Sequence, residues 1–333
     1  MEIQAHRQQL IDRLDRVASH DFEALALEVF RYQAQHNPLY AEYLRLLAVD
    51  PRSIDRLERI PFLPIQFFKT YAIQTGDWAP ALTFSSSGTS GMATSRHLLR
   101  EPEFYRTNAR RGFAACYGPV QQYCVLALLP AYLERQGSSL VFMAEDFIRQ
   151  SAYPQSGFFL HDLPRLAEIL ADCQRNRIPA LLLGVSFALW ELAERYPMDL
   201  SALIIMETGG MKGRRRELTR EELHAILQEA FRTPAIHSEY GMTELLSQAY
   251  SAGKGIFRPA PTLRPLARDI TDPLSLVATG KTGALNLIDL ANLDTISFIA
   301  TDDLGRVYAD GSFEVLGRLD ASEARGCNLL VAE

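Results

Sequence analysis

Thr83-Phe84-Ser85-Ser86-Ser87-Gly88-Thr89-Ser90-Gly91 sets six hydroxyls and two glycines in one short run directly after Leu82. Glycine tolerates positive φ and lets a backbone approach a ligand closely. Successive N–H groups and hydroxyls can then wrap an anion such as phosphate. No Gly-Lys-Ser/Thr closes the run, so it is not a Walker A loop. Taken alone, its plainer reading is a flexible surface linker, and the surrounding chain has to decide between the two.

From residue 81 to 240, apolar β-like runs alternate with helical patterns. Strand candidates are 123–129, 140–144, 180–184, 202–206 and 235–239. Helical periodicity marks 163–174, 187–195 and 220–231, the last opened by the capping box Thr219-Arg220-Glu221-Glu222. This alternation predicts an α/β fold with mostly parallel strands covered by helices on both faces. Residues 1–48 read as helix, with Ile3, Leu10, Leu14 and Val17 at helical spacing. In Ile60-Pro61-Phe62-Leu63-Pro64-Ile65-Gln66-Phe67-Phe68-Lys69 the prolines oppose regular helix, leaving a buried connector or the wall of an apolar pocket. After residue 250 helical patterns fade. Short β-like runs stand at 274–278, 284–289, 295–300, 306–308 and 313–316, and Ala309-Asp310-Gly311-Ser312 signals a hairpin. The expected division is an α/β domain over 1–250 and a small β-rich subdomain over 251–333.

The 333 residues are 47% hydrophobic and 22% charged, which supports a sizeable core and argues against wholesale disorder. A net charge of -6 opposes a sequence-wide affinity for nucleic acid. The first residues lack an apolar signal region, and no membrane-length apolar run follows, so a cytoplasmic protein is expected. Four cysteines show neither a C-x-x-C pair nor a nearby histidine cluster, which disfavours a disulfide framework or structural zinc.

Three further segments follow the serine run in order. Ser238-Glu239-Tyr240-Gly241-Met242-Thr243-Glu244 is a strand end breaking at Gly241, and such strand ends are where open α/β sheets bind ligands. Its plain alternative is a turn in which Tyr240 packs and Glu244 caps a helix. Thr301-Asp302-Asp303-Leu304-Gly305-Arg306 holds a carboxylate pair. A carboxylate can accept from two hydroxyls at once, although Asp302 and Asp303 also suit a turn between strands. Gly317-Arg318-Leu319-Asp320 adds an arginine. Upstream, Thr208-Gly209-Gly210-Met211-Lys212-Gly213 again follows a strand candidate, and residues 214–216 read as a solvated basic turn. Cys327 is either a thiolate nucleophile or a small residue of a final strand, whereas Cys116, Cys124 and Cys173 read as core.

In order and spacing these motifs resemble the adenylate-forming superfamily of acyl-CoA synthetases, luciferases and peptide-synthetase adenylation domains, over residues from about 60 to 330. The Pro-Phe-Leu-Pro-Ile-Gln-Phe-Phe-Lys stretch, the Gly209-Gly210 loop, the short tail and Cys327 resemble its acyl-protein synthetase (LuxE-type) family.

The resemblance implies that Ser86, Ser87, Gly88, Thr89, Ser90 and Gly91 hold ATP phosphates. Gly209 and Gly210 would lie near the adenine and Tyr240, beside Gly241, against it. Thr243 would bond the α-phosphate, Glu244 would hold Mg²⁺, Asp303 would bond the ribose hydroxyls and Arg318 would meet ribose or phosphate. The chain also departs from the pattern. Where the superfamily loop usually closes with Pro-Lys, only Arg96 and His97 offer a cation, and Asp302 replaces a glycine. The sequence stops at Glu333, so no full C-terminal lysine domain is expected, with Lys69, Lys212, Arg96 or a partner protein as substitutes. Cys327 matches the family's acyl-accepting cysteine, with Arg325 nearby to lower its pKa.

The implied activity is an acid–thiol ligase. ATP and Mg²⁺ activate a carboxylic acid, a fatty acid by the family's pattern, as acyl-AMP. Cys327 then takes the acyl group and passes it to a partner, a protein acyl acceptor or reductase. The alternatives are transfer to coenzyme A, as in phenylacetate-CoA ligase relatives, and a nucleotide-binding interaction protein without turnover.

Overall fold

A computed structural model describes residues 2–86, 94–130, 137–209 and 218–319. In chain order, α1 (Glu2–Leu14), α2 (Phe22–His36) and α3 (Pro38–Leu46) lead to β1 (Leu63–Pro64) and α4 (Phe67–Thr70). Next come β2 (Leu82–Ser85), β3 (Arg96–Leu99), α5 (Pro102–Tyr117), β4 (Cys124–Leu128), α6 (Ser139–Gln150) and β5 (Gly157–Phe158). Then follow α7 (Leu163–Asn176), β6 (Ala180–Val185), α8 (Ser186–Arg195), β7 (Ile204–Thr208), α9 (Arg220–Phe231) and β8 (His237–Tyr240). The last strands are β9 (Ala249–Ser251), β10 (Ile256–Pro259), β11 (Leu263–Arg268), β12 (Thr282–Asp289), β13 (Phe298–Val307) and β14 (Phe313–Arg318).

Two compact units form: Met1–Asp77 with Thr262–Glu333, and Trp78–Pro261. This differs from a division at 250/251, because the N-terminal helices pack with the C-terminal strands. Gln33 on α2 donates from Nε2 to the carbonyls of Asn292 and Leu293 at 3.0 Å each, and its Oε1 accepts from Ser297 N at 3.0 Å. Arg7 on α1 grips Asp294 through two bonds of 2.6 Å.

In the second unit the strand order is β10-β9-β8-β7-β6-β4-β5. Strands β4 to β8 are parallel; β9 runs antiparallel to β8, and β10 to β9. Every residue of β4 is buried, as are five of the six in β6, as expected of central strands covered on both faces. Leu166, Leu170, Leu189, Leu192, Leu223 and Leu227 of α7, α8 and α9 close one face over Leu126, Leu182 and Ile205. The capping box of α9 forms as read, with Thr219 and Glu222 each bonding the other's backbone N–H. Hairpin β2–β3 lies apart from this sheet and is held by Phe84, whose ring sits 5.1 Å from Tyr105 and 5.6 Å from Phe142.

The first unit's strands β11-β12-β13-β14 form an antiparallel sheet, with β1 parallel to β13. This is the β-rich C-terminal region expected from the sequence.

Three local expectations are corrected. Residues 140–144 belong to helix α6, not a strand: Ser138 caps it, and burial continues through Asp146 and Phe147 at helical spacing. A short apolar run cannot choose between the two by periodicity. Residues 274–278 make only an isolated bridge, Arg268↔Leu276. Asp269 and Asp272 side chains bond Thr271 and Ser275 there and favour turns. Runs 295–300 and 306–308 join into the single strand β13, so Asp302 and Asp303 lie within a strand, beside a register shift, and not in a turn. No helix among the described residues is long and apolar enough to cross a membrane.

Candidate active site

In the second unit the serine run springs from hairpin β2–β3, where Ser85 opposes Arg96. Ser86 closes its base: Ser86 N donates to the Ser95 carbonyl at 3.1 Å, and Ser95 N donates to Ser86 Oγ at 2.9 Å. Ser87, Gly88, Thr89, Ser90 and Gly91 lie outside the described residues, as do Gly210, Lys212, Asp320, Arg325 and Cys327.

His97, one step up β3, is fully buried, and its Nδ1–H donates to the Thr243 carbonyl at 2.8 Å. Burial holds its pKa down at about 4, with the Thr243 bond pulling weakly the other way. His97 is therefore neutral near pH 7 and is not the missing cation. It ties the serine hairpin to the turn after β8. The alternation of exposed Arg96 with buried His97 and Leu99 carries the signal that could have revealed this.

Tyr240 ends β8 with its ring 5.8 Å from Phe257. A Cβ at Gly241 would press on the Glu239 carboxylate, which would have to shift. Glu244 is buried in the turn that follows. Asn108 on α5 fixes the exit of that turn, donating to the Leu246 carbonyl at 2.8 Å and to Ser247 Oγ at 3.0 Å. Gly209 follows β7 at φ +71, with open space where a Cβ would stand and its carbonyl accepting from Ser186 Oγ at 2.7 Å.

Glu239 was missed in the sequence. It faces Thr208 across β7–β8, and Thr208 Oγ1 donates to it. Burial pushes its pKa up to about 7, opposed by the Thr208 bond and reinforced by Glu207.

Asp303 and Arg318 come together in the first unit. They face each other across β13–β14, with Arg318 Nε 3.6 Å from Asp303 Oδ1 and Nη2 3.8 Å from Asp302 Oδ2. Gln66 enters through the proline stretch. Strand β1 pairs with β13, Ile65 N donates to the Ala300 carbonyl at 2.9 Å, and Gln66 Nε2 donates to Asp302 Oδ1 at 2.6 Å. Beneath them, buried Arg268 donates to the carbonyls of Leu285 and Thr301 at 2.9 and 2.6 Å. Thr301 Oγ1 accepts from Asp303 N at 3.1 Å. Gln66 and Arg268 carry no motif of their own; only the pairing of distant strands exposes them.

The cysteines divide. Cys124 and Cys173 are buried, and burial pushes Cys173 up to about 12. Cys116 is exposed, contrary to its reading as core. It continues the buried stripe of Tyr105, Ala109, Gly112 and Phe113, but at the last turn of α5. Among the described residues no group of three or more His, Cys, Asp or Glu is poised for a metal.

No family model matches the chain, and no curated protein matches it in sequence. Among solved structures, ATP-bound MatB from Rhodopseudomonas palustris aligns with a TM-score of 0.54 at 16% identity, over 73% of this chain and 49% of that one. An open conformation of 2-hydroxyisobutyryl-CoA ligase, in complex with 2-HIB-AMP and CoA, aligns with a TM-score of 0.64 at 14% identity, over 89% and 73%. The fold is thus that of adenylate-forming enzymes, and the chain spans about half the length of MatB.

Proposed function

We propose that this chain activates a carboxylic acid with ATP, forming acyl-AMP and pyrophosphate as an ATP-dependent ligase. One observation carries the reading: the His97–Thr243 bond ties the serine hairpin to the Tyr240–Glu244 turn, joining the two segments assigned to ATP. The ATP-bound MatB and adenylate-bound ligase that share the fold support it. In this reading the serine run wraps phosphate, Gly209 and Gly210 leave room beside the adenine, and Thr243 bonds the α-phosphate. Asp303 takes the ribose hydroxyls, and Arg318, poised between two carboxylates, turns toward ribose or phosphate. Fixed donors aimed at developing charge would supply most of the rate.

A single buried carboxylate, Glu244, fits Mg²⁺, which commonly takes one or two protein carboxylates and completes its shell with phosphate oxygens and water. Bound there, the ion would neutralise phosphate charge.

The finer proposal is that Cys327 attacks the adenylate carbonyl, releasing AMP and holding a fatty acyl group as a thioester for a protein acceptor or reductase. Transfer to coenzyme A is the second reading, favoured by the CoA bound to the 2-hydroxyisobutyryl ligase of like fold. The test is ATP–pyrophosphate exchange over a panel of carboxylic acids. Acid-dependent exchange is expected; ATP binding with no exchange for any acid would leave a nucleotide-binding protein instead.

A further inference from the structure

A groove of about 740 Å³ opens in the second unit among α9, the last turn of α5 and the β9–β10 hairpin. That volume lies in the ordinary range of small-molecule sites. Ala115, Ile236, Ala252 and Ile256 give it an apolar part of its lining. Its charged lining is mostly cationic: Arg220 from α9, Lys254 from the hairpin tip and Arg258 from β10, against the carboxylate of Glu221. No residue of this groove has a part in the acid activation proposed above.

The three cations differ. Arg220 is engaged, with Nε 3.5 Å from Glu207 and its guanidinium 5.3 Å over the Phe257 ring. Lys254 and Arg258 are exposed and have no carboxylate partner among the described residues. Two unmatched cations around one concavity stand out in a chain of net charge -6.

Lys254 is also strained, held at φ +59 between Gly253 at +134 and Gly255 at +68. Strain of this kind gathers where the chain must present a group to a ligand. Cys116 lines the same groove, close enough to Arg258 for the guanidinium to favour its thiolate against the burial that disfavours it.

We propose that this groove binds a small organic phosphate: a dianionic phosphate monoester whose oxygens meet Arg258 and Lys254 while its apolar part lies against Ile236 and Ile256. Two unmatched cations balance a dianion, whereas a monocarboxylate would leave one unanswered. The planar guanidinium of Arg258 matches two phosphate oxygens at once.

Cys116 supplies the assay. Iodoacetamide alkylation is followed at the Cys116 peptide by mass spectrometry, without ATP, while phenyl phosphate, inorganic phosphate or benzoate is titrated in above the second ionisation of the phosphates. Phenyl phosphate is expected to slow alkylation by about tenfold at saturation and to act at lower concentration than inorganic phosphate, with benzoate nearly inert. In Lys254→Ala/Arg258→Ala, two exposed changes, half-protection should require roughly tenfold more phenyl phosphate, with the melting temperature and acid-dependent pyrophosphate exchange unchanged. That exchange separates this site from the ATP site, since either can fail while the other stands. No protection by phenyl phosphate, equal protection by benzoate, or protection that survives the double substitution overturns the proposal.

Discussion

His97 and Glu239 bracket the turn after β8 and depend on pH in opposite senses. Burial holds His97 at about 4, so the stability tied to its neutral form is complete above 6.5 and is lost as pH falls through 4. Burial lifts Glu239 to about 7, so the stability tied to its protonated form is complete below 4.5 and is lost as pH rises through 7. Each shift corresponds to roughly 3 kcal/mol, and the two slopes largely cancel between 4.5 and 6.5. Glu239→Gln keeps an oxygen for Thr208 but removes one slope. Urea unfolding should show this variant losing roughly 2 kcal/mol relative to wild type as pH is lowered from 7 to 5, with His97→Gln moving the other way. Parallel profiles in all three proteins would mean that neither group titrates on folding. Glu239 stood in a quoted motif, yet only the pairing of β7 with β8 sets it against Thr208. Hydrogen bonding gave no hint in the sequence that His97 would be a neutral anchor; its place in the burial alternation of β3 did.

At the scale of elements, reading succeeded where local chemistry and tertiary packing agree. Helix α9 was legible because Thr219 and Glu222 close its first turn whatever packs above it. Thr219→Ala removes that cap and should lower stability by about 1 kcal/mol in denaturant melts; an unchanged midpoint would show that packing alone holds the first turn. Helix α6 was misread because its apolar run fits either period, and the decisive residue, Ser138, lies just outside the run. Strand β13 looked broken at Thr301-Asp302-Asp303-Leu304-Gly305 because that composition suits turns. Long-range partners override it: Thr301 bonds the Leu285 carbonyl at 2.8 Å, and Gly305 passes so close to the Glu314 carbonyl and Leu285 that no Cβ fits. Gly305→Ala should therefore disturb β13–β14, costing about 1–3 kcal/mol by overpacking. The same change should weaken ATP affinity if Asp303 and Arg318 hold the ribose. A variant destabilised in this range with wild-type ATP affinity would remove that pair from the site.

Across the whole molecule, the union of N-terminal helices with C-terminal strands was hidden because its contacts join residues hundreds of positions apart. Arg7 and Asp294 are the extreme case, and both side chains are largely removed from water. Arg7→Ala leaves the Asp294 carboxylate without its partner and should cost about 3 kcal/mol in urea unfolding; a loss well under 1 kcal/mol would show solvent already doing the arginine's work. In the proposed reaction, the step after adenylation is decided at this scale too, by which thiol receives the acyl group. With ATP, Mg²⁺ and an acid that supports pyrophosphate exchange, Cys327 should acquire an acyl mass that neutral hydroxylamine removes, since a thioester is far more electrophilic than an amide or oxygen ester. In that proposed step the carbonyl–phosphate bond of acyl-AMP would break, AMP would leave, and the thiolate sulfur would keep the acyl group. Cys327→Ser should abolish this label because a hydroxyl is rarely ionised near neutral pH, whereas a thiol of pKa about 8.5 partly is. Exchange should continue unchanged, since the groups proposed to adenylate lie elsewhere in the chain. The other cysteines provide the control: Cys124 and Cys173 are buried with raised pKa values, and Cys116 is exposed but also raised. Label on Cys116, or none on the protein while coenzyme A becomes acylated, would transfer the acceptor role away from Cys327 and select direct thiolysis by coenzyme A.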